Sequence, residues 1–201
     1  MSTRWLWPAI LVLIVVVIGS SVAGTYNGLV ALDQSVQAQW AQVQTVYQRR
    51  ADLIPNLVAT VKGVAGFEKS TYLAVAQARS KVGQIAPAQV QSLPNSPQAF
   101  AQFQRAQDGL SFALSRLLAV VENYPDLKAN QNFLDLQAQL EGTENRIAVE
   151  RRRYNEAAQA FNTKRQTFPT NVIAGLFGSR FPLKPYFQAH TGAENAPTVQ
   201  F

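Results

Sequence analysis

The chain of 201 residues contains no cysteine. That excludes disulfides, thiolate metal sites, a thiol nucleophile and a lipidated N-terminal cysteine, so any attachment to a membrane must come from the chain itself. One histidine, His190, is present, too few for a His-pair metal site and badly placed for a Ser-His-Asp arrangement. Charge is scarce too: 15% of residues are Asp, Glu, Lys or Arg, against about 25% in ordinary soluble domains. The shortage is uneven, because residues 5–32 carry none and only Arg4 precedes Asp33. Beyond Asp33 polarity comes largely from glutamine, of which the chain has 21. Disordered, collagen-like and disulfide-scaffold classes do not fit this composition.

What is present begins with an apolar run, AILVLIVVVI at residues 9–18, preceded by Arg4 and followed by small residues. One reading is a cleaved signal peptide, with Ser21-Val22-Ala23 as the small-x-small cleavage site. The other is an uncleaved anchor with Trp5 and Trp7 at one interface and Tyr26 at the other. Trp5 to Tyr26 is 21 steps, about 31 Å of helix against a hydrocarbon core of about 30 Å. The spacing favours the anchor. Pro8 in the first helical turn loses no hydrogen bond and does not oppose it. Arg4 flanks the N-terminal side, and no Lys or Arg follows the run before Arg49, so the N-terminus is expected in the cytoplasm and the remaining chain outside it. Ser20, Gly24 and Gly28, four apart, would form a small-residue strip for helix association in the membrane. A formal charge of +6 then suits anionic envelope surfaces better than nucleic acid, and no nucleic-acid partner is expected.

The rest reads as all-α. In the window 29–54, Leu29, Leu32, Val36, Trp40, Val43, Tyr47 and Ile54 recur at helical spacing. The pattern continues past Pro55 through Val75 and Ala76, which predicts a long helix kinked at the proline. Residues 83–97, with Pro87, Pro94 and Pro97, read as a connection. A helix is predicted over residues 98–122 and a turn at Asn123-Tyr124-Pro125-Asp126. A third long helix is predicted over residues 125–167, where Phe133, Leu140, Ile147, Tyr154, Phe161 and Phe168 fall at a strict period of seven. That period implies a narrow seam against antiparallel neighbours with left-handed supercoiling. Phe168-Pro169 should end it, and the Gly/Pro-interrupted tail is expected to pack along the bundle in preference to the membrane surface. The expected layout is therefore an anchor at residues 1–28, an antiparallel bundle of long helices at 29–168, and an irregular tail at 169–201.

No motif assembles a catalytic, cofactor or metal site. The segment GVAGFEKS at residues 63–70 lacks the Gly-Lys step and the preceding strand of a phosphate loop. Glu141 and Glu144 share a helix face, but nothing separates their environments as an acid-base pair needs. Arg151-Arg152-Arg153 has acidic neighbours at helical spacing, Glu150 four after Arg146 and Glu156 four after Arg152, so a solvated, ion-paired face is expected. The closing Val199-Gln200-Phe201 has the form of a terminus captured by strand addition, although docking on the chain's own bundle is the simpler expectation.

Specific blocks remain. RRADLIPNLVATVKG spans Arg49 to Gly63, ENYPDLKANQNF Glu122 to Phe133, LEGTENRI Leu140 to Ile147, and RRYN Arg152 to Asn155. With Tyr26-Asn27, Leu29-Val30, Trp40, Val43, Glu68, Ala78-Arg79, Asn162, Phe168-Pro169 and Pro197-x-Val199-x-Phe201, these closely resemble the LemA family of bacterial membrane-anchored proteins over nearly everything from Tyr26 onward. The resemblance implies one N-terminal transmembrane helix, a helical bundle outside it in the periplasm or at the outer face of the cell membrane, and no established catalytic residues. It also marks Trp40, Arg49, Arg50, Asp52, Pro55, Asn56, Tyr124, Asn130, Asn145, Tyr154, Asn155 and Asn162 as structural or interaction candidates, several of them expected as buried polar links between helices. The functional expectation is a non-enzymatic, membrane-anchored bundle whose partners are the bilayer, envelope proteins or itself. The alternative is an envelope enzyme or lipid-handling protein using the Arg49, Arg50 and Asp52 cluster.

Overall fold

A computed structural model describes residues 6–64 and 66–189; the expectations that rest on Arg4, Trp5, Ala65, His190 and residues 197–201 lie outside them. Among the described residues every regular element is helical. In chain order these are α1 (Leu6–Lys62), α2 (Lys69–Gly83), α3 (Pro87–Ser92), a 3-10 turn (Leu93–Asn95), α4 (Pro97–Val121), α5 (Pro125–Lys128), α6 (Gln131–Gln166), α7 (Thr170–Leu176) and a second 3-10 turn (Gly178–Arg180). Residues 182–189 follow with no regular structure.

The organising element is α1, 57 residues long, or about 85 Å at 1.5 Å per residue. Its N-terminal part stands clear of everything else: Trp7, Ile10 and the large apolar residues through Ile18 are all exposed. It is long and apolar enough to cross a membrane. Burial begins at Val22 and is complete at Leu29. The backbone does not break at residues 28–29, so the apolar segment and the bundle share one continuous helix.

Three helices surround the core half of α1. α6 packs along it antiparallel, as Arg50 opposite Glu144 and Tyr47 opposite Arg151 require. α4 runs parallel to α1 across the core, with Trp40 on Phe100 and Phe103 and Arg50 reaching Ser111. α2 folds back against both α1 and α4. Thus Tyr72 and Val75 belong to a separate helix rather than to a kinked continuation. α1 stops at Lys62, and the chain reverses through Gly66 at φ +79°, a conformation that glycine alone adopts without strain. α1 itself passes through Pro55. Proline has no N–H for the Ala51 carbonyl four residues back; Arg79 Nε of α2 donates to that carbonyl instead, at 3.2 Å.

Other boundaries shift for local reasons. The connection at 83–97 holds α3 and a 3-10 turn, because Pro87, Pro94 and Pro97 each occupy the first or second position of a helical element, where proline is preorganised. The third long helix starts at Gln131 rather than at 125: Asn130 caps it by accepting from the Phe133 N–H at 3.2 Å, leaving α5 as a separate turn. The seven-residue seam is buried from Phe133 through Phe161. Phe168 lies past the helix end and is 82% exposed.

The core divides in two. Beside the bare end of α1 lies an aromatic cluster including Trp40, Tyr47, Phe100, Phe103, Tyr154, Phe161, Phe181 and Phe187. At the far end an aliphatic cluster collects Ile54, Leu57, Val61, Leu110, Leu117, Phe133 and Leu140. Between them sits Arg50.

Candidate functional site

Arg50 is the largest polar side chain with no exposure at all. Its guanidinium donates to Ser111 Oγ and Glu144 Oε1, both at 2.7 Å, and to the side chain and backbone oxygens of Gln107. It also lies 5.1 Å from the Tyr47 ring centroid. A buried cation needs its donors met and a counter-charge near; both terminal nitrogens of Arg50 are bonded, its Nε alone has no partner, and the side chain ties α1, α4 and α6 at a single level. One turn along, Arg151 turns inward, donating to the Tyr47 hydroxyl at 2.6 Å and to Asp108 at 3.1 Å. The expected solvated arginine face is therefore split. Arg152 pairs with Glu156 as expected, whereas Glu150 pairs with Arg153, three residues on, in place of the expected Arg146. Burial raises the Tyr47 hydroxyl above its ordinary pKa despite Arg151 and Arg50 beside it. Burial likewise disfavours the charged Arg151, but Tyr47 and Asp108 more than offset this and hold the guanidinium charged.

The second assembly fastens the tail. Asn162 on α6 pairs with both backbone groups of Lys184: its Nδ2 donates to the carbonyl at 2.9 Å and its Oδ1 accepts from the N–H at 2.8 Å. Asn155, two turns earlier, does the same to Phe187 at 2.9 Å each way. From α4, Gln104 pairs with Gln188 at 2.9 and 3.3 Å. Side-chain amides thus serve as a neighbouring strand would, closing the gap between α4 and α6. Lys184 then reaches inward, 2% exposed, to Asp33 and Asn95 at 2.5 Å each and over the Phe161 ring at 4.8 Å.

Trp40 anchors the aromatic cluster, with its indole N–H on the Val90 carbonyl at 2.8 Å. Tyr154, fully buried among Trp40, Phe100 and Phe187, has its pKa raised by burial and then by Tyr186. Tyr124 pins the α1–α2 turn, its hydroxyl on the Gly66 carbonyl at 3.0 Å. Two surface hollows adjoin these groups. A cleft of about 590 Å³ between α1 and α3 is lined by Gln34, Gln37, Gln44, Gln91, Asn95 and Asp33 among others. A groove of about 390 Å³ between α4 and α6 is lined by Ser111, Leu114, Leu118, Leu140, Glu144 and Asn145 among others.

The structure therefore separates the predicted residues. Arg50 is internal, but Arg49 and Asp52 are exposed on α1, with Asp52 held by Gln48 at 2.7 Å. The three do not assemble: Arg49 and Asp52, three apart, share the outer face of α1, whereas Arg50 is turned inward about 100° from Arg49. Asn155 and Asn162 bind the tail rather than a second helix. Pro55, Asn56, Asn130 and Asn145 are exposed. At Gly24 and Gly28 no atom of the chain crowds the position of a Cβ, and Ser20 Oγ bonds only the Val17 carbonyl of its own helix. Asp33, Asn95, Gln104, Gln107 and Lys184 were not singled out from the sequence. Only Lys184 left a trace there, a lone cation in the apolar stretch FPLKPYF. Among the described residues no group of His, Asp or Glu is placed to hold a metal.

These features define an all-α bundle built on one long helix whose N-terminal part is bare apolar surface, with buried polar side chains acting as ties and clips. The chain belongs to the LemA family, whose model matches residues 39–201. Relatives include magnetosome protein MamQ 2 of Paramagnetospirillum magneticum, 30% identical over 81% of this chain and 64% of the relative. MamQ of Magnetospirillum gryphiswaldense is 28% identical over 85% and 68%, and protein LemA of Metamycoplasma hominis is 28% identical over 75% and 64%. The chain thus spans about two thirds of the length of these relatives.

Proposed function

We propose that this LemA-family chain is a single-pass membrane protein of the cell envelope, with its N-terminus cytoplasmic and its bundle outside, acting by binding protein partners or further copies of itself and not by catalysis. The observation that carries the reading is the continuity of α1: one helix passes from a fully exposed apolar segment into the packed wall of the bundle. A helix with no break at that junction holds the bundle at a fixed height above the bilayer, as a display element does. The internal polar groups support it, since Arg50, Arg151, Asn155, Asn162 and Lys184 are each engaged in holding elements together. An enzyme or lipid-handling site on Arg49, Arg50 and Asp52 is disfavoured because Arg50 is buried and engaged with Ser111, Glu144 and Gln107, away from the exposed Arg49 and Asp52. The exposed Phe112 and the groove between α4 and α6 offer apolar surface to a partner.

Crosslinking in intact cells followed by extraction in mild detergent tests this reading. A discrete crosslinked species containing the chain is expected. Recovery of uncrosslinked monomer alone, under conditions that capture a known envelope complex, refutes the binding role.

A further inference from the structure

Tyr26 lies 19 steps beyond Trp7 on α1, about 28 Å of helix, close to the roughly 30 Å of a hydrocarbon core. At that level the tail meets the helix: the Tyr26 ring is 4.8 Å from Phe177 and 5.5 Å from Phe181. Burial of α1 begins one turn nearer the apolar segment, at Val22. α7 is thus packed at the top of the span. One face of it, Ile173 and Ala174, is buried in the bundle. The other bears Val172 and Leu176, four residues apart and 58% and 75% exposed, and it is flanked by Phe168 just before the helix at 82% and Phe177 just after it at 39%. Nothing in the described fold covers this stripe.

The exposed charge on this stretch of chain is of one sign, Lys184 being buried on Asp33. From residue 157 to residue 189 the chain has Lys164, Arg165, Arg180 and Lys184 and no acidic residue. Lys164 and Arg180 are exposed, and Lys164 and Arg165 stand in the last turn of α6, which ends at the same level. Apolar side chains in one stripe, ringed by long cations able to reach outward, are the features of a segment lying in a bilayer interface.

We infer that α7, with Phe168 before it and Phe177 after it, is a second membrane contact that seats these exposed apolar side chains in the outer leaflet beside α1 and sets Lys164 and Arg180 among anionic headgroups. This rests on α1 being the span. It adds to that reading a fixed orientation of the bundle, since a single helix alone leaves the bundle free to rotate about its axis, whereas a second contact 20 residues of α6 away from the Arg50 level tilts it to one face.

The test uses the full chain in vesicles of phosphatidylcholine and phosphatidylglycerol. With no native cysteine, a nitroxide can be placed singly through Val15→Cys, Val172→Cys, Leu176→Cys or Phe112→Cys, and its collisions with oxygen and with a water-soluble nickel complex compared. Phe112 is an exposed aromatic at the level of Arg50, about 36 Å above Tyr26 along α1, and serves as the aqueous control. The inference expects the oxygen-to-nickel ratio at 172 and 176 to lie several-fold above that at 112 and to approach that at 15. Nickel access at 172 and 176 equal to that at 112, with 15 still lipid-exposed, overturns the second contact and leaves the span standing. Nickel access at 15 as well overturns the span and the contact with it. Loss of both collisions at 176 shows protein covering the stripe and also overturns the inference.

Discussion

Replacing Arg50 by Met keeps the length of the side chain and its packing but removes every donor that ties α1 to α4 and α6. Gln107, 3% exposed, then loses the partner of its side-chain oxygen, and a buried unsatisfied acceptor costs about 1–3 kcal/mol. Ser111 and Glu144 lose bonds of 2.7 Å, but the Glu144 side chain is 40% exposed and water recovers much of that loss. Breaking a buried ion pair from one side costs about 3–5 kcal/mol, and rehydration of Glu144 places the expected loss near the lower end, about 3 kcal/mol. In a domain of this size that lowers the melting temperature by about 6–12 °C. The assay is thermal and chemical unfolding of the detergent-solubilised chain, followed by helical circular dichroism and by fluorescence of Trp40, the one tryptophan beyond the apolar segment. The double variant Arg50→Met with Gln107→Leu removes the stranded acceptor and should regain at least about 1 kcal/mol. A single variant as stable as the parent, or a double variant less stable than the single, refutes the reasoning that Gln107 desolvation governs the cost.

Further outcomes follow from the other ties. Asn162→Leu strands both backbone groups of Lys184 and should cost about 2 kcal/mol or more, with faster proteolysis within residues 182–189 and faster exchange of the Lys184 amide. Asp33→Asn leaves the buried Lys184 ammonium without its carboxylate and should destabilise by about 3 kcal/mol, whereas Asp52→Asn on the exposed face of α1 should shift stability by under about 0.5 kcal/mol; paired unfolding curves check both. Arg79→Met should matter only while Pro55 is present, costing about 1 kcal/mol in the parent and close to nothing in Pro55→Ala, where the Ala51 carbonyl regains a helical partner. Tyr47 and Tyr154 both have folded pKa values raised by burial. The unfolded chain therefore releases their protons first, and stability is unaffected below about pH 10 and falls above it by up to about 1.4 kcal/mol per pH unit for each tyrosine. Tyrosinate absorbance rising together with loss of circular dichroism checks this.

Hydrophobic periodicity located what periodicity governs. α4 begins and ends within one residue of its expected limits, and the seam from Phe133 to Phe161 is buried at every seventh position. The same rule overran at Phe168, where the helix had already ended and an apolar residue continued the count without a partner on the bundle. Local chemistry was present but underread: Asn130 preceding α6, Gly66 ahead of α2, and prolines at the starts of α3 and α4 are all boundary signals. The polar ties were not legible. Lys184 and Asp33 are 151 residues apart, and an amide that clips a backbone strand has no characteristic spacing. The inward turn of Arg151 depends on Tyr47 arriving from another helix, which a charge pattern along α6 does not report.

The measurement that bears most directly on an anchored bundle is the sidedness of the chain in intact cells. Single cysteines introduced at Ser2 and at Phe112 are treated with a membrane-impermeant maleimide before and after permeabilisation of the inner membrane. The reading predicts that Phe112→Cys is labelled from outside the inner membrane and Ser2→Cys only after permeabilisation, both in chain that stays with the membrane through alkaline extraction. Labelling of Ser2→Cys and protection of Phe112→Cys, or release of either chain by alkali, contradicts it.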